Sequence, residues 1–320
     1  MEQHWRKTIL RATGARELTE GETIQELWSG YGAIRRIELE GAEPVTVVVK
    51  HIAFPNESKH PRGWNSDRSH KRKVKSYRVE AAWYTDWSTE CNADCRVPAC
   101  FARETRGEEA LLVLEDLDAA GYNRRHTRVG RAEVAACLEW LAAFHARFLG
   151  RAPEGLWKNG TYWHLDTRPD ELKALDDPAL KQAAGKIDLL LKQARFRTIV
   201  HGDAKLANFC FTPDGARVAA VDFQYVGGGI GMQDLAYFVG SCYAEAECER
   251  LEEQILDHYF TALKTELPDF DAFAELEDEW RRLYPVAWTD FHRFLKGWSP
   301  GHWKINAYSE RLAREVIAGL

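Results

Sequence analysis

Five side chains in this 320-residue chain carry the groups that phosphoryl transfer needs: Lys50, Glu80, Asp203, Asn208 and Asp222. Moving a phosphoryl group from ATP to a hydroxyl is mostly a matter of positioning and electrostatics. One carboxylate must orient the attacking hydroxyl and take its proton. Mg²⁺ must be held against the phosphates by hard oxygen ligands, which an Asp and an Asn supply. A lysine must hold the phosphates, and a glutamate must fix the lysine. The stretch TIVHGDAKLANFCFTPDGARVAAVDFQ, residues 198–224, contains three of the five groups. Each follows or precedes a short apolar run, so short strands would carry Asp203, Asn208 and Asp222 to one edge.

The order along the chain matches the order in which protein kinases use these parts. Lys50 ends an apolar run, Glu80 follows on a helical stretch, Asp203 and Asn208 have the D-x-x-x-x-N spacing of a catalytic loop, and Asp222 comes after the next short run. Taken singly, each residue has an ordinary explanation. An H-G-D is often a turn, a lysine at a strand end is often solvated, and an Asp after an apolar run often starts a turn. The five in order, each on a suitable element, favour phosphoryl transfer.

Those elements are legible in outline. Ile24 to Trp28, Ile34 to Leu39 and Val45 to Lys50 read as a three-stranded meander separated by Gly-containing turns. Residues 54–75 are polar and basic and read as a long loop leading into a helix that begins near Val74. In that helix Tyr77, Ala81, Tyr84 and Trp87 keep roughly helical spacing around Glu80. Ala110 to Leu117 reads as a buried strand. Beyond it the pattern turns helical: Val134, Leu138, Leu141, His145 and Phe148 share one face, and residues 169–195 and much of 232–320 follow suit. The expected fold class is α+β: a small antiparallel sheet in an N-terminal lobe, residues 1–118, and a larger, mostly helical C-terminal lobe, residues 119–320.

Composition bounds the rest. A net charge of −6, from 43 basic and 49 acidic residues, argues against nucleic acid as the main partner. No apolar run is long enough to span a membrane, and the N-terminal stretch lacks the apolar core of a secretion signal. Seven cysteines, an odd number, fit reduced thiols in a cytoplasmic protein better than a disulfide framework. Cys91, Cys95 and Cys100 lack usual zinc-site spacing and an obvious fourth ligand.

With these residues in place, the chain resembles the small-molecule kinases of the aminoglycoside phosphotransferase and choline kinase superfamily. The resemblance rests on HGDAKLANFCF (201–211), AAVDFQYVGGGIGMQDLAYFVGS (219–241), LLVLEDLDAAGY (111–122), LEWLAAFHA (138–146) and VEAAWYTDW (79–87). It spans roughly residues 20–300. The VDFQ and DLAYF wording is most similar to the ecdysteroid-kinase-like branch. The resemblance implies a bilobal protein-kinase-like fold with ATP in the cleft and adenine hydrogen-bonded to backbone groups of Glu115, Asp116 and Leu117. It implies Asp203 as catalytic base, Asn208 and Asp222 as Mg²⁺ ligands, and Lys50, paired with Glu80, on the phosphates. Asp234 would brace the catalytic loop through its backbone N–H groups, and His201 would orient it. Lys205 stands where protein kinases place a lysine that neutralises the γ-phosphate, although many superfamily members have other residues there. The turn SGYGA departs from the G-x-G-x-x-G of protein kinases. Glu90 is the alternative partner for Lys50 should the helix register differ.

The expected reaction is ATP- and Mg²⁺-dependent transfer to a hydroxyl of a small molecule. For the acceptor, Trp157, Tyr162, Trp163, Trp288, Phe291, Trp298 and Trp303 offer either core packing or the walls of a pocket near Asp203. Such walls would suit an apolar alcohol, or a quaternary ammonium by cation–π contact. An aminoglycoside would want carboxylates, and Glu245, Glu247, Glu249, Glu252 and Glu253 read as a solvated helix face instead. The basic residues from Arg62 to Lys75 read as a solvated insertion; the other reading is closure over ATP phosphates or an anionic substrate. Two rival classes are a kinase-fold nucleotide-binding protein without catalysis and a metal-dependent hydrolase built on His201, Asp203 and Asp222. The interval from Asp222 to Asp234 is too short for the activation segment of a protein-phosphorylating kinase.

Overall fold

In a computed structural model of the protein, residues 1–27, 30–53, 67–107 and 109–320 are described. The N-terminal part is a five-stranded antiparallel sheet of β1 (Glu17–Glu26), β2 (Gly32–Glu40), β3 (Thr46–Ile52), β4 (Cys100–Arg106) and β5 (Glu109–Glu115), in the order β1-β2-β3-β5-β4. Successive side chains of a strand point to opposite faces, and β3 uses both. Val47 and Val49, with Leu111 and Val113 of β5, pack beneath Trp5 and Ile9 of α1 (Gln3–Thr13). Val48, Lys50 and Leu114 therefore face the other way, into the cleft. Lys50 pairs in register with Ile34 on one side and Leu112 on the other.

The expected meander is present with one correction. Its first strand runs from Glu17 to Glu26, earlier than the expected Ile24–Trp28, and Trp28 lies outside the described residues. The pairing Leu18 to Leu39, which sends Leu18 into the core under α1, favours the earlier start. The helix expected from Val74 begins at Asp67: α2 spans Asp67–Ala82 and continues as a π-helical turn, Trp83–Trp87. Residues 67–75 of the expected basic loop are thus helical, and residues 54–66 lie outside the described residues. The strand expected to reach Leu117 ends at Glu115, where the chain turns over Asp116–Tyr122.

The C-terminal part is mostly helical. It comprises α3 (Arg131–Arg147), α4 (Pro169–Ala174), α5 (Pro178–Lys192), α6 (Gly231–Cys242), α7 (Glu245–Glu266), α8 (Phe273–Trp298) and α9 (Ala307–Ala318). The helix α3 is buried on more than the one expected face, because Ala136, Cys137 and Trp140 are covered too. Asp177 ends the α4–α5 break by accepting from Leu180 N at 3.0 Å, with Pro178 at the first helical position. Four short strands frame the catalytic segment: β6 (Thr198–Val200), β7 (Phe209–Phe211), β8 (Val218–Ala220) and β9 (Gly227–Gly229). They form two separate ladders, β6 with β9 and β7 with β8. Among the described residues, no helix is long and apolar enough to cross a membrane.

Candidate active site

Asp203 and Asn208 lie in the loop between β6 and β7, and Asp222 lies two residues past the end of β8. One imidazole spaces the two acids. His201 Nδ1 accepts from Asp203 N at 3.2 Å, which leaves Nε2–H to donate to the Val221 carbonyl at 3.0 Å. The neutral tautomer that does both is fixed by its partners. Val221 N in turn donates to Asn208 O at 3.0 Å, so the loop and the strand end are tied twice. Behind them Asp234 accepts from His201 N at 2.6 Å, Gly202 N at 2.9 Å and His145 Nε2 at 3.1 Å, all buried. Gly202 has φ +79°, and a Cβ there would meet Tyr225 O at 2.1 Å; only glycine fits this turn.

Asp222 also adopts a left-handed backbone, φ +70°, a conformation Asp tolerates better than most residues and one that recurs at functional sites. Phe223 locks the segment in place by stacking on Trp83 with ring centroids 4.5 Å apart and packing on His201 at the same distance. Across the cleft, Lys50 Nζ lies 2.8 Å from Glu80 Oε1 and 3.4 Å from Asp222 Oδ1. Burial works against the ammonium, but Glu80 and Asp222 together outweigh it and keep Lys50 charged. Glu90 instead pairs with Arg151 at 2.7 Å on the surface, so Glu80 is the partner.

The two aspartates differ electrostatically. Burial pushes the Asp203 carboxyl up, and the neighbouring Lys205 only partly offsets it; Lys205 Nζ is 3.0 Å from Asp203 Oδ2. Asp222 feels burial too, but Lys50, Lys205 and Lys73 outweigh it and hold its carboxyl below the ordinary value. One acid is suited to taking a proton and the other to staying ionised beside a cation. Asn208 Nδ2 donates to Asp203 O at 2.7 Å and to Asp203 Oδ2 at 3.1 Å. That fixes the amide and leaves Asn208 Oδ1 without a donor among the described residues. Asn208 Oδ1 and the half-buried Asp222 carboxylate are hard oxygen donors of the kind Mg²⁺ takes. Among the described residues no three His, Cys, Asp or Glu side chains group as a metal site. A two-ligand protein site fits Mg²⁺, which normally keeps waters and substrate phosphates as its other ligands.

Lys50, Glu80, Asp203, Lys205, Asn208 and Asp222 border one cavity of about 800 Å³. Glu115, Asp116 and Leu117 line it at one end. Their side chains are engaged elsewhere: Glu115 with Arg96, and Asp116 with Arg36 Nε at 2.7 Å. The Asp116 and Leu117 carbonyls accept from Ala120 N and Tyr122 N, while the Leu117 N–H has no partner among the described residues. At the other end stand Tyr162, Tyr237, Phe291, Phe294 and Trp298. Tyr162 is tied to the catalytic loop, its N–H donating to Gly202 O at 3.1 Å. Tyr237 lies beside Asp203, and burial first, then the Asp203 charge, holds its hydroxyl protonated.

Of the aromatic residues proposed from sequence, Tyr162, Phe291 and Trp298 line the cavity. Trp157, Trp163 and Trp288 are core, and Trp303 is exposed. Three of the five α7 glutamates considered from sequence meet α9: Glu252 accepts from Tyr308 OH, Glu249 pairs with Arg311, and Glu245 accepts from Ala307 N. Sequence reasoning missed Tyr225, Tyr237, Arg168 and Lys304 as lining residues. Tyr225 and Tyr237 sit inside quoted motifs; Arg168 and Lys304 carry no local signal. Arg72 and Lys73 also line the cavity, from the first turns of α2.

The sequence signature of the APH phosphotransferase enzyme family matches residues 23–276. The chain belongs to that family. The fold agrees: the structure of a microcompartment-associated aminopropanol kinase superposes with a TM-score of 0.50 at 13% identity, covering 99% of this chain and 95% of that one. An ethanolamine kinase of Plasmodium vivax superposes with a TM-score of 0.51 at 13% identity, covering 93% and 81%. A kinase-like protein of Caenorhabditis elegans is 23% identical over 267 residues, 74% of this chain and 70% of its own. This phosphotransferase is therefore an α+β protein with a protein-kinase-like fold, and the enzyme class expected from its sequence is the class of its family.

Proposed function

We propose that this phosphotransferase moves the γ-phosphate of ATP, with Mg²⁺, to a hydroxyl of a small molecule seated against Tyr162, Phe291, Phe294 and Trp298. The observation that carries this reading is the position of Asp203. It borders one continuous cavity between the Lys50–Glu80 pair and the aromatic end, with its carboxyl raised and Asp222 lowered.

MgATP supplies the transferable phosphoryl group and, through the metal, neutralises charge on it. The protein's own part is as follows. The Glu115 carbonyl and Leu117 N–H present hydrogen-bonding groups for an adenine edge. Lys50, held by Glu80, meets phosphate oxygens. Asn208 Oδ1 and the Asp222 carboxylate hold the metal. The Asp203 carboxylate, whose Oδ2 is held by Lys205 and Asn208, accepts the proton of the acceptor hydroxyl, and Lys205 beside it balances negative charge. The aromatic walls exclude water, so the hydroxyl of the acceptor is favoured over hydrolysis.

Within the superfamily, the VDFQ and DLAYF segments support the ecdysteroid-kinase-like branch. The lobe boundary belongs at Asp118, where β5 has ended and the chain turns. We assign the protein to the cytoplasm.

The test is ADP release from MgATP across a panel of alcohols. Release that depends on an alcohol and disappears in Asp203→Asn, with nucleotide binding kept, supports transfer. ADP release at the same rate without any alcohol would indicate a hydrolase. Nucleotide binding with no release under any condition would indicate a binding protein.

A further inference from the structure

The acceptor end of the cavity holds more positive charge than the reaction itself requires. Lys50, Lys73 and Lys205 surround the carboxylates Glu80, Asp222 and Asp203. Arg72, Arg168 and Lys304 line the same cavity and are used by none of the steps above.

Arg72 Nη1 donates to Thr167 O at 3.0 Å and Nη2 to Ser69 Oγ at 3.3 Å; it has no ion pair among the described residues. Its neighbour is another guanidinium. Burial and then the Arg168 charge disfavour the Arg72 cation. Arg168 is fixed by Tyr162 O at 2.6 Å and Glu171 at 3.1 Å, and it stacks over the Phe294 ring at 5.1 Å. Lys304 lies on the opposite flank of the same aromatic group, 4.9 Å from the Tyr237 ring centroid and 5.6 Å from that of Phe291. Its Nζ has neither a hydrogen bond nor an ion pair among the described residues. Burial lowers it to about 8. Arg72 and Arg168 share one neighbouring carboxylate, Glu171, and Lys304 has none within ion-pair distance among the described residues; such cations are costly unless an anion arrives.

We infer that the acceptor is an anionic alcohol, an aromatic or apolar hydroxy compound carrying a carboxylate or phosphate, whose negative group is met by the adjacent Arg72 and Arg168 while Lys304, over the Tyr237 and Phe291 rings, adds to the positive field and the hydroxyl faces Asp203. This rests on the phosphotransferase reading above and narrows its substrate class. A guanidinium fork suits the planar oxygens of a carboxylate or phosphate. The same charges repel an amino alcohol, so the site selects by repulsion as well as attraction. Of the α7 glutamates that an aminoglycoside would need, Glu245, Glu249 and Glu252 meet α9 instead.

The experiment compares matched acceptors with the full chain and MgATP: 3-phenyllactate (anionic), 3-phenyl-1,2-propanediol (neutral) and phenylalaninol (cationic). Glycerol 3-phosphate against glycerol separates phosphate from carboxylate recognition. Binding is read in parallel as thermal stabilisation in the presence of MgADP, so a poor acceptor still reports. We expect kcat/KM or binding to be at least about tenfold better for an anionic member than for its neutral partner, as loss of one charge-assisted contact implies. In Lys304→Met and Arg72→Gln that preference should collapse through acceptor KM, with KM for ATP and the MgATP-induced thermal shift kept. Preference for the neutral or cationic compound overturns the inference. So does failure of every anionic compound to bind, or a rise in ATP KM matching that for the acceptor, which would assign these cations to nucleotide. In each of those cases a retained MgATP shift leaves the phosphotransferase reading standing. Absence of that shift in wild type sinks the reading and this inference together.

Discussion

Lys50 on β3 and Glu80 on α2 form a buried ion pair, 2.8 Å long, at the wall of the cavity, with Asp222 Oδ1 3.4 Å from the same ammonium. The pair joins the sheet to the helix and points the lysine at the cavity. Glu80→Gln removes the charge that compensates a buried ammonium. Breaking such a pair costs about 3–5 kcal/mol, so the urea midpoint should fall clearly with the m-value unchanged. Affinity for MgATP should weaken as well. A variant as stable as wild type would mean that the pair is not buried as described.

Asp203 sets the acid limb of the pH–rate profile. Its folded-state carboxyl is raised above the ordinary 3.8 by burial, so activity should fall as pH drops through that raised value. Lys205 lowers it, so Lys205→Ala should move the acid limb to higher pH. Asp203→Asn should reduce kcat by about 10²–10⁴-fold. The stability sign follows from linkage. A raised carboxyl binds its proton more tightly folded than unfolded, so stability falls as pH rises from the unfolded value through the raised one. Asp203→Asn should therefore raise the melting temperature at neutral pH and flatten its dependence on pH in that window. A flat acid limb, or one unmoved by Lys205→Ala, would contradict the assignment.

The brace behind the loop is separable from the chemistry. Asp234→Ala leaves three buried N–H groups, the backbone ones of His201 and Gly202 and the His145 Nε2–H, without their acceptor. Each costs about 1–3 kcal/mol. Denaturation should show the loss, and kcat should fall more than KM for ATP rises, because the Asp203 loop is displaced while the Glu115–Leu117 segment is not. Equal effects on all three would point to general unfolding.

Two tryptophans on α8 should behave oppositely. Trp288 is core against Tyr308, with Gly240 too close to it to admit a Cβ. Trp288→Ala should cost about 3–5 kcal/mol. Trp298 lines the cavity and stacks on Phe294 at 5.7 Å. Trp298→Ala should raise acceptor KM with a smaller stability loss. Denaturation and steady-state kinetics on both variants check the contrast.

Much of this site was legible because the chemistry fixes local spacings. Asp203, Asn208 and Asp222 sit within a single stretch, and Lys50 and Glu80 sit on elements with clear periodicity. The architecture followed from the same patterns, with errors where the local signal is weak. The helix α1 carries a weak signal because its buried stripe holds only two apolar residues, Trp5 and Ile9, beside the polar Thr8. The strand β4 went unseen because its side chains are only partly buried and mostly polar. Residues 67–75 read as loop because their charges hide a helix whose Arg72 and Lys73 turn inward. Lys304 and Arg168 could not be found from sequence, since what makes them notable is their place on the cavity wall, which only the three-dimensional fold sets. The converse error came from the aromatics. Composition cannot tell a wall such as Trp298 from core such as Trp163 and Trp288.

The most direct test of the central claim is thermal unfolding of wild type and Asp222→Ala with ATP, GTP or neither, each with and without Mg²⁺. Ligand at about 100 times its Kd adds roughly 2.7 kcal/mol, a shift of several degrees for a chain of this size. Wild type should show a nucleotide-induced rise that depends on Mg²⁺ and is lost in Asp222→Ala. No rise in well-folded wild type, or an equal rise in the variant, would contradict the claim.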